Sequence, residues 1–176
     1  MRGLSGLQKV AGVLIISVSA TLISPTASSG NMSEYTRIAQ YTIEQAQKGQ
    51  VSDVDQLLDQ QAKLVQLGVD ACNQYVKKHP KAKPILELVT SNAEMMKQLS
   101  LTEIEEKWHH GGEFKKRGYS VKEDHFGAVA NLIDAVIHPA TSFIALSHYK
   151  RDNNPAHLQQ VVAELSEVLV HIQQLD

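Results

Sequence analysis

The sequence predicts an all-α protein: an up-and-down antiparallel bundle of four long helices with a shorter helix at its N-terminal end. Apolar residues recur every three or four positions through most of the chain after residue 30, which is the period of an amphipathic helix. No stretch alternates like a β-strand, and the breaks between apolar segments span mostly two to five residues. Such short connections make neighbouring helices antiparallel.

The start of the chain differs from the rest and predicts a secretory signal peptide. Two basic residues precede an apolar run from Val10 to Ile23, and small residues follow it up to Ser29. The run of about 14 residues is shorter than the roughly 20 that span a bilayer, so we expect cleavage near Ser29 and not an uncleaved anchor. We therefore interpret residues 1–29 as a leader and residues 30–176 as one helical domain, exported to the periplasm or an equivalent space.

Composition limits the partners that the exported domain can have. Residues 30–176 hold 15 basic and 19 acidic residues, because two basic residues and no acidic ones fall in the leader. The resulting formal charge of −4 gives no reason to expect nucleic acid or an anionic membrane surface as a partner. We identify no segment after the leader that is long and apolar enough to cross a membrane, so we expect no membrane insertion after cleavage.

The only cysteine, Cys72, cannot form an internal disulfide, so stability must come from packing. Cys72 lies on the apolar stripe of Val65, Val69 and Val76, at helical spacing. We interpret it as a small buried hydrophobic residue. An intermolecular disulfide or a role as a soft metal ligand is the alternative.

Capping and stop signals give the order of the first helices. Asn31 and Glu34 resemble a capping box that begins the first helix, which runs to Gly49. Ser52 starts a second helix, and His79-Pro80 stops it, because the residue before a proline disfavours helical backbone. These signals predict a shorter first helix and a long second one.

The middle of the chain predicts either one irregular helix over residues 84–110 or two helices in succession. Pro84 suits a first helical position. Ser100 and Glu103 then form a capping box inside the same stretch, where a second helix would begin.

The longest predicted helix spans about residues 121–150 and is opened by a box of Ser120 and Glu123. It is apolar nearly all round, which is typical of a helix buried on most sides. Pro139 lies in its middle and predicts a kink, since proline cannot donate to the carbonyl four residues earlier. The last helix is capped and begun by Asn154-Pro155.

The stretch EEKWHHGGEFKKRGY at residues 105–119 gathers two adjacent histidines and the only tryptophan. We interpret it first as a helix end, because histidines in a last turn suit the helix dipole and Gly111-Gly112 supplies a left-handed stop. The connection over residues 108–126 is also a candidate recognition surface, since histidines and aromatic residues crowd it. The candidate binding residues are Trp108, His109, His110 and His125.

A second group of polar residues lies on the last two helices. Asp134 and His138, like Glu167 and His171, are four residues apart, which places each carboxylate and imidazole on one helix face. If these helices form an antiparallel hairpin, His171 lies near the level of Ala135. Asp134, His138 and His171 are therefore candidate ligands of a divalent transition metal. The alternatives are a structural Asp134–His138 pair and a solvent-facing Glu167–His171 pair.

These patterns leave three hypotheses about function. The first is a non-enzymatic binding protein that uses the 108–126 connection to hold an unknown protein or small ligand. The second is a carrier of a transition metal or, with less support, of haem, for which Met95 or Met96 would lie near the height of His138. An enzyme ranks last, because no spacing of serine, histidine and aspartate indicates a catalytic site.

Overall fold

A computed structural model describes residues 27–119 and 127–175. Most of the predicted leader and the predicted capping box at Ser120 and Glu123 lie outside the described residues, as does His125. Within them, every regular element is a helix. The elements are α1 (Ala27–Gln47), α2 (Val54–Lys78), a 3₁₀ turn (Pro80–Ala82), α3 (Lys83–Met96), α4 (Leu101–Ile104), a π-helical turn (Glu105–His109), α5 (Gly112–Lys116), α6 (Ala128–Asp152) and α7 (Pro155–Ile172). The all-α prediction is confirmed.

Four helices contact one another in a ring. Helix α1 packs on α2 and α7, and α6 packs on α2, on α7 and, outside the ring, on α3. Helices α1 and α2 run antiparallel. Lys63 of α2 binds Glu34 of α1 at 2.6 Å, whereas Gln56, earlier in α2, meets Tyr41, later in α1, at 3.4 Å.

One element prediction was wrong. The first helix begins at Ala27 and is 21 residues long, which is longer than α3 and α7, so it is not a shorter N-terminal helix and is not capped at Asn31. For the stretch 84–110, the alternative of two helices in succession is confirmed, because α3 ends at Met96 and a second helical segment begins at Leu101. This second segment passes from α4 directly into the π-helical turn.

Other predicted boundaries are confirmed at the level of atoms. The Ser100 Oγ accepts a hydrogen bond from the Glu103 backbone N–H at 3.2 Å, and the Glu103 carboxylate accepts one from the Ser100 backbone N–H at 3.0 Å. Gly111 has a φ of +72°, which is the left-handed stop predicted after the histidines. Asn154 caps α7 by accepting from the Ala156 N–H at 3.0 Å.

Helix α6 is the central helix, and it runs through Pro139 without interruption. Pro139 has no N–H, so the Ala135 carbonyl loses its usual partner within the helix. The Tyr35 hydroxyl of α1 donates to that carbonyl instead, at 2.9 Å. Helix α2 approaches the same carbonyl closely, because a Cβ added at Gly68 would lie only 2.3 Å from the Ala135 oxygen. A glycine on α2 and a tyrosine on α1 therefore accommodate the proline of α6.

By length and composition alone, α6 would be able to cross a membrane, so the expectation that no such segment follows the leader was wrong. In the fold, 83% of its most apolar window is buried against other helices. The core helix of a globular protein meets the same criterion as a membrane span. The burial of α6 is that of a core helix.

Cys72 lies on α2 against α6, where it is completely buried. Its thiol Sγ is 3.5 Å from the Leu132 carbonyl oxygen. Burial raises the pKa of the Cys72 thiol to about 12. This is the environment of a buried small hydrophobic residue, as the apolar stripe predicts.

Candidate metal centre

The structure brings together the three residues predicted as metal ligands. Asp134 and His138 come from consecutive turns of α6, and His171 comes from α7. The two helices are joined by only two residues, Asn153 and Asn154, so the end of α7 returns to the level of the middle of α6. One donor atom from each of the three side chains lies within 4.8 Å of the others.

The carboxylates and imidazoles pair across the two helices and not along them. The Asp134 Oδ2 is 2.7 Å from the His171 Nδ1, and the Glu164 Oε2 is 2.8 Å from the His138 Nδ1. The expected Asp134–His138 pair within α6 is therefore wrong. Glu167 is exposed, and the carboxylate facing His171 is that of Asp134, so the expected Glu167–His171 pair is wrong as well.

Glu164 is the site residue that the sequence analysis missed. It is buried, with 9% of its surface exposed, on the same face of α7 as Val161, Leu165 and Val168. With His138 and His109 it forms a second set of donor atoms within 4.8 Å of one another. A signal was present, because residue 164 lies three after Val161 and four before Val168, and a carboxylate at such a core position requires a partner.

His109 reaches the cluster from the π-helical turn. The His110 N–H donates to the carbonyl of Glu105, five residues earlier, at 2.8 Å, which is the π-helical pattern. The His109 Nε2 lies 2.9 Å from the Thr141 Oγ1 and 3.7 Å from the Glu164 Oε2. His109 therefore belongs to the interior of the fold and is not only a residue of the helix end.

Hydrogen bonding fixes the protons of two of these imidazoles. The single hydroxyl proton of Thr141 is donated to the Ile137 carbonyl at 3.1 Å, so Thr141 accepts its other bond from the His109 Nε2–H. An ionised Glu164 can only accept, so the proton between Glu164 and His138 lies on the His138 Nδ1. The second nitrogen of the neutral His138 ring then carries a free lone pair.

The His171–Asp134 contact is different. The His171 Nδ1 is buried and has no hydrogen-bond partner by direction, although the Asp134 oxygen is 2.7 Å away. A hydrogen bond requires a suitable direction as well as a short distance. The two atoms lie within ion-pair distance of each other without the geometry of a hydrogen bond.

The electrostatics of the cluster are set by burial and by its opposite charges. Burial raises the pKa of Asp134, although His138 and His171 act against it. Burial lowers the pKa of His109, and the neighbouring His138 lowers it further. Burial also acts to lower the pKa of His138, but the hydrogen bond and charge of Glu164, together with Asp134, outweigh it and raise that pKa. A cation bound here must therefore compete with a proton on His138.

Of the other residues predicted to bind a partner through the 108–126 connection, Trp108 and His110 do not lie together on one surface. Trp108 is buried, with its ring edge-to-face against that of Phe114 at 5.8 Å, and Phe114 is buried as well. His110 is exposed. Trp108 and Phe114 are thus part of the core, and Tyr119 is partly buried against it.

The two methionines considered as haem ligands lie in different environments. Met96 is completely buried in an apolar cluster with Leu86 and Val89, whereas Met95 is 48% exposed. Both environments are ordinary for methionines on the two faces of an amphipathic helix.

Comparisons with protein-family models, with curated proteins and with solved structures found no match to this chain. The chemistry of the cluster is therefore the basis for its interpretation. The cluster combines three imidazoles and two carboxylates between α6, α7 and the π-helical turn. This donor set suits zinc, copper, nickel or iron as divalent ions, better than magnesium or calcium.

Proposed function

We propose that this protein binds one divalent transition-metal ion through Asp134, His138 and His171. The observation that carries the proposal is the convergence of these three donors within 4.8 Å, with a buried His171 Nδ1 that no hydrogen bond satisfies. Two imidazoles and one carboxylate are a common ligand set for zinc and for non-haem iron.

Glu164 has a supporting role in this proposal. A histidine that binds a metal usually donates its other N–H to a carboxylate, which fixes the tautomer and the ring orientation. The contact of 2.8 Å between the Glu164 Oε2 and the His138 Nδ1 is of this kind. His138 would then bind the ion through its Nε2.

Three protein ligands leave a coordination position open for water or another small ligand. The site is reached from solvent on one side, because the side chains of Asp134 and His171 are 20% and 29% exposed. An accessible and incomplete coordination sphere suits a protein that takes up and releases its ion. We therefore propose a metal-binding or carrier role.

The proposed setting of this site has two further parts. We propose that α1, α2, α6 and α7 form an up-and-down bundle, because short connections join α1 to α2 and α6 to α7 and side-chain contacts make α1 and α2 antiparallel. We also propose that the mature domain acts in the periplasm or an equivalent exported space, as the leader-like residues 1–29 indicate. Recognition by the 108–126 connection has less support than metal binding, since Trp108 and Phe114 are buried.

The proposal can be tested by calorimetric titration of untagged, metal-free protein with zinc, copper or nickel. We expect one ion per chain for the wild type and weaker binding for His171→Ala. Glu164→Gln should weaken binding by about 10–100-fold, the usual effect of losing a supporting carboxylate. His110→Ala is the matched control, because His110 is exposed, and it should bind as the wild type does.

A different outcome would favour a purely structural cluster. If the histidines and carboxylates only stabilise one another, none of the three metals will bind the wild type. The variants will then differ from it in stability alone, because each leaves a buried polar partner unpaired.

A further inference from the structure

The cluster contains two sets of ligands that share one residue. The first set, Asp134, His138 and His171, is the outer seat. The second set, His109, His138 and Glu164, has the same composition of two imidazoles and one carboxylate, and its donor atoms also lie within 4.8 Å of one another. We call this second set the inner seat.

His138 lies between the two seats. Its ring centre is 4.9 Å from that of His109 and 6.0 Å from that of His171, and its Nδ1 faces Glu164 of the inner seat. A neutral imidazole has one N–H and one lone pair, so His138 can bind a metal through only one nitrogen at a time. The shared ring therefore makes the two seats alternatives.

We propose that one metal ion has two alternative seats in this protein, with His138 as a ligand in both, through Nε2 in the outer seat and through Nδ1 in the inner one. This inference rests on the proposed metal binding. The inner seat is the better shielded, since the side chains of His109 and Glu164 are 17% and 11% exposed, against 20% and 29% for Asp134 and His171. An ion would therefore enter at the outer seat and reach the inner one from there.

The inner seat must exchange hydrogen bonds for metal bonds. The His109 Nε2 has to leave Thr141 and transfer its proton to its own Nδ1, and the His138 proton has to move from Nδ1 to Nε2. Each imidazole keeps one proton, so the shift releases none. Because two satisfied hydrogen bonds are lost, the inner seat should be the weaker of the two in the wild type.

The test is the number of zinc ions bound per chain, measured by native mass spectrometry and by calorimetric titration on untagged protein. We expect one ion in the wild type, one weaker ion in His171→Ala, and one in His109→Gln. The double variant with His171→Ala and His109→Gln should bind none at a zinc concentration that saturates both single variants. His110→Ala should bind one ion with wild-type affinity, and circular dichroism should show that every variant is folded.

Each other outcome has a definite meaning. If His171→Ala is folded and binds no zinc, only the outer seat exists, and the two-seat proposal is rejected while the proposed function stands. Two ions in the wild type would show simultaneous occupancy and also reject alternation. No ion in the wild type would reject the proposed function itself. If His171→Ala does not fold, Asp134→Asn replaces it, with the same expectation of one weaker ion.

Discussion

At the scale of single residues, His138 is the side chain on which the site depends. It is 3% exposed, it hydrogen-bonds Glu164 through Nδ1, and it belongs to both sets of candidate ligands. Its proton and a metal ion compete for the same ring, because only a neutral imidazole binds a metal. This competition gives opposite pH dependences with and without metal.

The pH prediction follows from the raised pKa of His138. In the metal-free protein, the interaction of His138 with Glu164 stabilises the fold fully below the ordinary histidine pKa of about 6.5, and this contribution is lost as pH rises through the raised value. Stabilisation by zinc should instead grow as pH rises, because the proton no longer competes. Thermal unfolding of the wild type and of His138→Gln, with EDTA and with zinc over about pH 5–8, measures both trends. A difference between the two proteins in EDTA that does not change with pH would contradict this assignment.

Cys72 gives a second prediction at this scale. With a pKa of about 12 against an ordinary value of 9.0, its thiolate fraction at neutral pH is lower by roughly three orders of magnitude. Burial adds a physical barrier to any reagent. We expect an aromatic disulfide reagent to label native protein far more slowly than protein in denaturant. Equal rates in the two conditions would place Cys72 at the surface.

Local spacing predicted three of the clustered residues but not their partners. Spacing of four along α6 and the short α6–α7 connection were sufficient to bring Asp134, His138 and His171 to one level. Spacing also favoured partners on the same helix, whereas the observed pairs join α6 to α7. Which face of α7 turns inward depends on packing, and that choice selected Glu164 over Glu167.

At the scale of elements, α6 is held by contacts that compensate for Pro139. The Tyr35 hydroxyl provides the hydrogen bond to the Ala135 carbonyl that the proline cannot provide. Asp134 directly precedes Ala135 in α6, and His138 lies three residues after it. The compensation therefore supports the stretch of α6 that carries the candidate ligands.

Because the Tyr35 hydroxyl replaces a hydrogen bond that Pro139 removes, substitutions at the two residues should have coupled effects on the free energy of unfolding. Tyr35→Phe should destabilise the wild type by about 1–3 kcal/mol, because it leaves a buried carbonyl without a donor. The same change should cost less in a Pro139→Ala background, where a backbone N–H is again present for the Ala135 carbonyl. Denaturant unfolding of the four proteins gives the coupling energy. Equal costs in both backgrounds would show that the Tyr35 hydroxyl does not replace the missing bond.

The starts of helices with a side-chain N-cap could be predicted from the sequence, whereas the π-helical turn could not. Ser100, Glu103 and Asn154 act through hydrogen bonds within three residues, so their sequence pattern is sufficient. The π-helical turn adds a residue to the helical repeat, which changes the face on which later side chains lie. The position of His109 next to Thr141 follows from that turn and has no simple sequence signal.

At the scale of the whole molecule, the fold collects donor atoms that are far apart in the chain. The π-helical turn, α6 and α7 each contribute, although residues 109 and 171 are separated by most of the second half of the sequence. A group of three imidazoles and two carboxylates that is mostly shielded from water costs desolvation energy unless the charges are paired or bind a metal. Metal binding would accordingly raise the stability of the entire domain, by an amount that grows with the logarithm of the affinity.

The most direct test of this account is a crystal structure of the zinc-loaded, untagged protein with anomalous diffraction data collected at the zinc edge. The account predicts one anomalous peak at about 2.0–2.2 Å from donor atoms of Asp134, His138 and His171, with Glu164 still bound to the His138 Nδ1. Well-ordered side chains with no peak among them, in a crystal equilibrated with excess zinc, would contradict it. The cluster would then be a network of paired side chains that stabilises the α6–α7 contact.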